Sequence, residues 1–356
     1  MIKLKLNSIN KKICKYFIII CLIYLTISIV YKKCIQMMNI NDILSEITRH
    51  DVQKPTVIRI GNSSIINNDQ YTTIITAYFS FRTSKHSSNK LYKKWASNMI
   101  LSVNSPIVIF TDFKTKNFLI NMFQHSVYKE KTNVVLFVYD NVWQLISQLE
   151  IDRNKSKNYY LNKYIYEQNS KDPEYDIHNP NLYAIWNLKV FLCDLVANSY
   201  NPFKSTFFIY NDFGAWRDII LPHWPDQQFV RELNQKLNSK IMLGQIDEFK
   251  NDNYDLDVIQ GGFFAGNRAA FSKFKSIYYK KHDELLNDDK FVGKEQTILN
   301  MIAFENNNNE IVRLKCFGLN CDEEMQLNPW FFYQIYFSFM NLTQCYKDKF
   351  SLLLNK

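Results

Sequence analysis

The chain has 356 residues, of which 15% are aromatic and only 8 are glycine and 8 proline. Such a composition describes a packed body of one large domain or two modest ones, and it excludes a disordered or fibrous chain. The formal charge of +9 comes mostly from seven lysines in the first 33 residues, where there is no acid. The body is therefore close to neutral and lacks the footprint of a nucleic-acid binder.

Between Lys15 and Lys32 runs YFIIICLIYLTISIVY, 16 residues without a charge. As a helix it measures about 24 Å, short for a bilayer unless its ends snorkel or the membrane is thin. Five lysines precede it and two follow. Read as a signal-anchor, residues 16–31 cross the membrane and residues 1–15 stay cytosolic. The positive-inside rule then makes the body lumenal or extracytoplasmic. A cleaved signal peptide ending near Thr26 and Ser28, or a buried core helix, are the alternatives. Position near the start of the chain favours the anchor. A lumenal body would leave Cys316 and Cys321 free to bridge locally and expose sequons at Asn62, Asn154 and Asn341.

Residues 32–70 are polar with no sustained apolar period and read as a stem, so the globular domain is expected over 71–356. YTTIITAYF, from Tyr71, is a β-branched and aromatic run of strand length. Leu91, Trp95, Met99 and Val103 share one helical face. PIVIFTD (Pro106 to Asp112) and NVVLFVYD (Asn133 to Asp140) are continuously apolar strands, with a helix between them. Residues 152–178 are polar and tyrosine-rich and read as an excursion over the surface. NPNLYAIWNLKVFLCDLVANSYNPF is a strong helix closed by an Asn-Pro turn. STFFIYND is the next strand, KIMLGQI another, and DVIQGGFFAG a third, ending at its glycines. Asn267 caps a long helix, and GKEQTILNMIAF is a shorter one. NPWFFYQIYFSFM closes the domain as strand or helix. Alternating elements with continuously apolar strands predict an α/β fold, its mostly parallel sheet flanked by helices.

In open α/β sheets, ligands bind beyond the carboxyl ends of the strands. Thr76 and Tyr78, Asp112, Asp212, and Gly261-Gly262 all stand at predicted strand ends. A buried strand-end acid needs a partner, either a divalent cation on a phosphate or the backbone of a helix it caps. Gly261-Gly262 permits close approach of backbone to a ligand, or marks a bulge. There is no G-x-G-x-x-G spacing, P-loop, G-x-S-x-G elbow or paired histidine site. Asp212-Phe213-Gly214 lacks the rest of the kinase set.

TIITAYFSF, PIVIFTD, LYAIWNLKVFLC, FIYNDFGAWRD, IQGGFFAG and GKEQTIL, in that order, resemble the HtrL/YibB family of bacterial proteins. That family is regarded as related to a lipooligosaccharide glycosyltransferase and resembles the GT-A sugar-nucleotide fold. The resemblance implies a glycosyltransferase moving a sugar from a nucleotide-sugar donor to a glycan or glycoconjugate. GT-A enzymes hold Mn²⁺ or Mg²⁺ on the donor diphosphate with an Asp-x-Asp motif. Here that slot reads Tyr210-Asn211-Asp212, so Asp212 is the one retained acid and the metal ligand it implies. By the same resemblance Arg217 and Lys189 meet phosphate, Thr76 and Tyr78 the base, and Gly261 and Gly262 line the sugar. Glu295 would be the general base. The missing second acid favours the alternative, a membrane-anchored carbohydrate-binding or scaffold protein without catalysis.

Overall fold

The computed structural model describes residues 19–31, 54–61, 71–80, 89–124, 133–217, 219–305, 309–318, 328–339 and 349–354. The chain divides into two units, Met1–Asp51 and Val52–Lys356.

In the first unit, residues 19–31 are helical with their large apolar side chains exposed. Thirteen residues make about 20 Å of helix against an apolar bilayer core of about 30 Å. Among the described residues no helix is long and apolar enough to cross a membrane. The predicted span is thus described only as this helix, and its first residues, 16–18, lie outside the described ones.

The second unit is built on one nine-stranded sheet among the described residues, in the order β1-β4-β3-β2-β5-β7-β6-β8-β9. The strands are β1 (Thr56–Ile60), β2 (Thr72–Tyr78), β3 (Ile107–Asp112), β4 (Val134–Tyr139) and β5 (Phe207–Asn211). They continue with β6 (Ile241–Gln245), β7 (Ile259–Asn267), β8 (Ile311–Lys315) and β9 (Leu353–Leu354). β4, β3, β2 and β5 form a parallel block, and β6 pairs β8 in parallel. β1, β7 and β9 run antiparallel to their neighbours. The expected mostly parallel α/β sheet is present, with these three strands reversed.

β3, β4, β5 and β6 are buried at every position, because helices cover both faces and alternate side chains enter opposite layers. Ile209, Phe263 and Ala265 enter one core with Met99, Leu119, Trp216, Trp224, Phe229 and Tyr336. These come from helices α1 (Asn89–Ser102), α2 (Phe113–Gln124), α6 (Gln227–Leu237) and α9 (Phe332–Tyr336), and from the segment after β5. On the other face Phe208 meets Phe271 and Phe264 meets Phe274, both on α7 (Arg268–Asn287). The helices α3 (Val142–Asp152), α5 (Pro180–Asp194) and α8 (Glu295–Phe304) also belong to this unit.

Three expectations change. The segment read as stem supplies β1, the edge strand paired antiparallel with β4. It is short and mostly exposed, so it carries little apolar signal. The supposed excursion after residue 152 holds helical segments at Tyr159–Asn162, Lys163–Gln168 and Asn169–Lys171, here grouped as α4. Its Tyr160 and Tyr164 are buried, and Tyr164 bonds His282 on α7 at 3.0 Å, so tyrosines that look polar in sequence act as core. The Cys316 thiol is free and buried, whereas Cys321 lies outside the described residues.

Candidate active site

The carboxyl ends of the parallel strands shape a cleft of about 440 Å³. β2 ends at Tyr78 and β5 at Asn211, so the turns that follow, Phe79-Ser80 and Asp212 to Arg217, line it. Sequence reading had Gly261 and Gly262 closing their strand. They instead stand near the start of β7. β7 is antiparallel to β5, pairing Phe263 with Asn211, so its beginning lies where β5 ends. That reversal brings the glycines to the Asp212 turn.

Lys189 occupies the cleft floor. It sits on α5, whose start is set by Asn179, which accepts from the backbone of Asn181 and Leu182, with Pro180 following. The Lys189 ammonium donates to Glu295 Oε1 at 2.7 Å, the Gly261 carbonyl at 2.9 Å and Asp212 Oδ2 at 3.2 Å. The side chains of Lys189 and Glu295 are only 4% and 6% exposed, while that of Asp212 is 41% exposed. Burial pulls the lysine down, but Asp212 and Glu295 outweigh it and hold the ammonium above its ordinary value. The other Asp212 oxygen accepts from the Tyr210 hydroxyl at 3.1 Å. Burial, then the Asp212 charge, pushes the Tyr210 phenol up, so it remains a donor.

The adjacent glycines are dictated by these carboxylates. A Cβ on Gly261 would collide with Glu295 Oε1, and one on Gly262 would lie 3.1 Å from Asp212 Oδ2. Resemblance assigned the glycines to ligand contact; both line the cleft, and the protein's own acids also leave no room for a side chain there. Gly214 is tight in the same way, its Cβ position being 2.8 Å from a Tyr92 ring carbon.

Arg217 lines the cleft wall with its guanidinium 4.7 Å from the Trp95 ring centroid and 5.2 Å from that of Phe331. Its Nε donates to the Gly214 carbonyl at 3.4 Å. Among the described residues no carboxylate pairs with it; the neighbouring Asp218 lies outside them. Tyr78 stacks on Phe213 with centroids 4.5 Å apart, an aromatic wall that Tyr92 extends at 6.1 Å from Tyr78.

Two predicted residues stand away from the cleft lining. Asp112 caps α2: its Oδ1 accepts from the Thr115 backbone and hydroxyl at 2.8 Å. Its Oδ2 accepts from Ser80 N at 2.8 Å, so Asp112 ties down a lining turn without reaching the cleft. Thr76 is fully buried within β2.

The implied divalent cation does not fit this donor set. Both Asp212 oxygens already accept from protein donors, and one of those donors is a cation. Glu295 is engaged by the same ammonium. Among the described residues no group of three or more acids, histidines or cysteines converges as a metal site.

Residues 70–318 match the family described as "Bacterial protein of unknown function (HtrL_YibB)". The chain belongs to this family. No curated protein matches it. Among solved structures it is similar to mouse xyloside xylosyltransferase 1 in its apo form, at 11% identity and a TM-score of 0.40. That likeness covers 67% of this chain and 83% of the mouse chain. It is also similar to 4-diphosphocytidyl-2C-methyl-D-erythritol synthase from Anaerococcus prevotii, at 9% identity and a TM-score of 0.27, over 70% of this chain and 88% of that one. At these TM-scores neither likeness carries an argument about chemistry.

Several supporting residues escape sequence reading. Asn187, on α5, donates to the carbonyls of Val292 and Gly293 at 3.0 and 3.2 Å and accepts from the Tyr278 hydroxyl at 2.7 Å. It thereby braces the helix of Lys189 against the loop that delivers Glu295. Tyr333 donates to Asn211, beside the Asp212 turn. Trp95 and Phe331 carry Arg217, and Tyr210 holds Asp212. In sequence Trp95 shows only as part of an apolar helical face, Tyr210 as a departure from an acidic motif, and Asn187 as a polar residue inside a strongly apolar helix.

Proposed function

We propose that this chain is a transferase that moves a sugar from a nucleotide-activated donor to a hydroxyl of a glycan or glycoconjugate acceptor. The observation that carries the proposal is one cleft joining a partly exposed carboxylate, Asp212, to the Arg217 guanidinium, which lies over the Trp95 ring and has no carboxylate partner among the described residues. A leaving diphosphate gains negative charge, and a planar guanidinium held against aromatic faces meets phosphate oxygens in pairs. The Tyr78–Phe213 wall supplies flat apolar surface for a base or a sugar ring.

In this reading Asp212 takes the acceptor hydroxyl proton: both acids line the cleft, but the Asp212 side chain is 41% exposed there and that of Glu295 only 6%. Lys189 and Tyr210 orient Asp212, and Glu295 orients Lys189. The general-base role expected at Glu295 thus passes to Asp212. A second reading, a carbohydrate-binding protein without catalysis, is favoured by the pairing of both acids with the Lys189 ammonium.

A binding screen of the whole chain against nucleoside diphosphates and sugar nucleotides tests the proposal. A sugar nucleotide should bind, and Asp212→Asn should abolish its turnover while leaving donor affinity in place. Binding of glycans alone, with no nucleotide bound, would select the second reading. Membrane anchoring and a lumenal body rest on the lysine asymmetry of the sequence, and protease protection of the body in sealed microsomes tests them.

A further inference from the structure

We infer that the Lys189 ammonium stands where a divalent cation would otherwise bridge these acids, and that the cleft binds its diphosphate donor without metal. This inference rests on the transferase reading for the donor, but not for the ammonium's place in the floor.

The ammonium has three N–H donors, and three oxygens receive them: one from each acid and the Gly261 carbonyl. Two carboxylates and a carbonyl are the hard oxygen set that magnesium or manganese selects. Here the cage is closed around a cation belonging to the chain itself. A metal approaching Asp212 would compete for its oxygens with the lysine and the Tyr210 hydroxyl. If it took the hydroxyl's place, it would stand beside a like charge, the ammonium of a lysine only 4% exposed.

With its donors saturated, Lys189 cannot also bond a phosphate directly. Positive charge for the diphosphate must come from the cleft wall, where the Arg217 guanidinium lies over the Trp95 and Phe331 rings and has no carboxylate partner among the described residues. A guanidinium held over aromatic rings keeps N–H donors for oxygen acceptors. The two cations divide the work: Lys189 neutralises the acids and Arg217 meets the donor. A metal-dependent site would instead place one cation against both acid and diphosphate.

The test uses Mn²⁺ alone and a panel of UDP, GDP, CDP and ADP, on the full chain. In wild type, Mn²⁺ should remain free by electron paramagnetic resonance. The tightest nucleotide should bind equally well in EDTA and in Mn²⁺. Arg217→Ala should weaken that binding about tenfold or more in both buffers. Lys189→Ala empties the cage and should take up Mn²⁺, and adding Glu295→Gln should abolish that uptake. Three results would each overturn the inference: Mn²⁺ uptake by wild type that Asp212→Asn removes, nucleotide affinity that collapses in EDTA, or a folded Lys189→Ala that takes up no Mn²⁺. If Lys189→Ala does not fold, the two wild-type arms still decide. If no nucleotide binds in either buffer, the transferase reading fails, while the Mn²⁺ titrations still report on the cage.

Discussion

Gly261→Ala tests the packing of the cleft floor because the new methyl has one principal obstacle. It would collide with Glu295 Oε1 and lie 2.7 Å from Glu295 Cδ. Carbon atoms rest about 3.5–4.0 Å apart, so Glu295 must withdraw by roughly 1 Å. Its 2.7 Å bond to Lys189 then passes beyond hydrogen-bond range. Removing a partner from a buried ion pair costs about 3–5 kcal/mol. Here the carboxylate stays nearby and Lys189 keeps two other acceptors, so about 2–3 kcal/mol is the appropriate scale. Against this, alanine restricts the unfolded chain and stabilises by about 0.4–1 kcal/mol. Neither glycine lies in the left-handed region, so backbone strain adds nothing. The net expectation is a loss of about 2 kcal/mol. Gly262→Ala is the internal control. Its methyl lies 3.1 Å from an Asp212 oxygen on a side chain that is 41% exposed and free to shift, so the loss should be under about 1 kcal/mol. Urea denaturation of both variants, compared at a common slope, gives the two values. Equal midpoints, or a larger loss at Gly262, would refute the packing of Glu295 against Gly261.

Three further expectations concern roles and pH. Asp212→Asn should lower kcat by about 10²-fold or more, whereas Glu295→Gln should cost much less, because the amide oxygen still accepts from Lys189; the reverse order would return the base role to Glu295. Asn187→Leu strands the Val292 and Gly293 carbonyls and the Tyr278 hydroxyl and should destabilise by about 2–4 kcal/mol. A loss below about 1 kcal/mol in chemical denaturation would remove Asn187 as a brace. Burial lowers the His282 imidazole, with Asp283 offsetting part of the effect. Above about pH 6.5 both folded and unfolded His282 are neutral and no penalty arises. As pH falls below that value the unfolded chain takes up the proton first, so stability should decline by up to about 1.4 kcal/mol per pH unit until the folded pKa is reached. His282→Gln should flatten this part of the profile; an unchanged profile would assign the pH dependence to other groups.

Much of the fold follows from local signals that need no neighbours. IVIFTD and VVLFVY are apolar at nearly every position, which only a strand covered on both faces tolerates. Asn267 before Arg268 and Asn179 before Pro180 cap their helices through their own side chains, a bond that spans three residues and is therefore legible in sequence. The six motif blocks, in order, also pointed to the family that residues 70–318 match. Where sequence reading failed, the missing information was long-range. β1 is an edge strand whose pairing with β4 lies some 80 residues away in the chain. The direction of β7 depends on its pairing with β5, and that pairing turned Gly261 and Gly262 from strand-closing residues into neighbours of Asp212. Above all, Lys189, Asp212 and Glu295 come from a helix, a turn and a second helix, with 106 residues between Lys189 and Glu295. Each alone reads as a surface charge or a strand-end acid. Only the sheet order brings them within hydrogen-bond distance, and only burial makes a lysine between two acids a fixed cation, because charge removed from water must be neutralised by whatever the tertiary fold sets beside it.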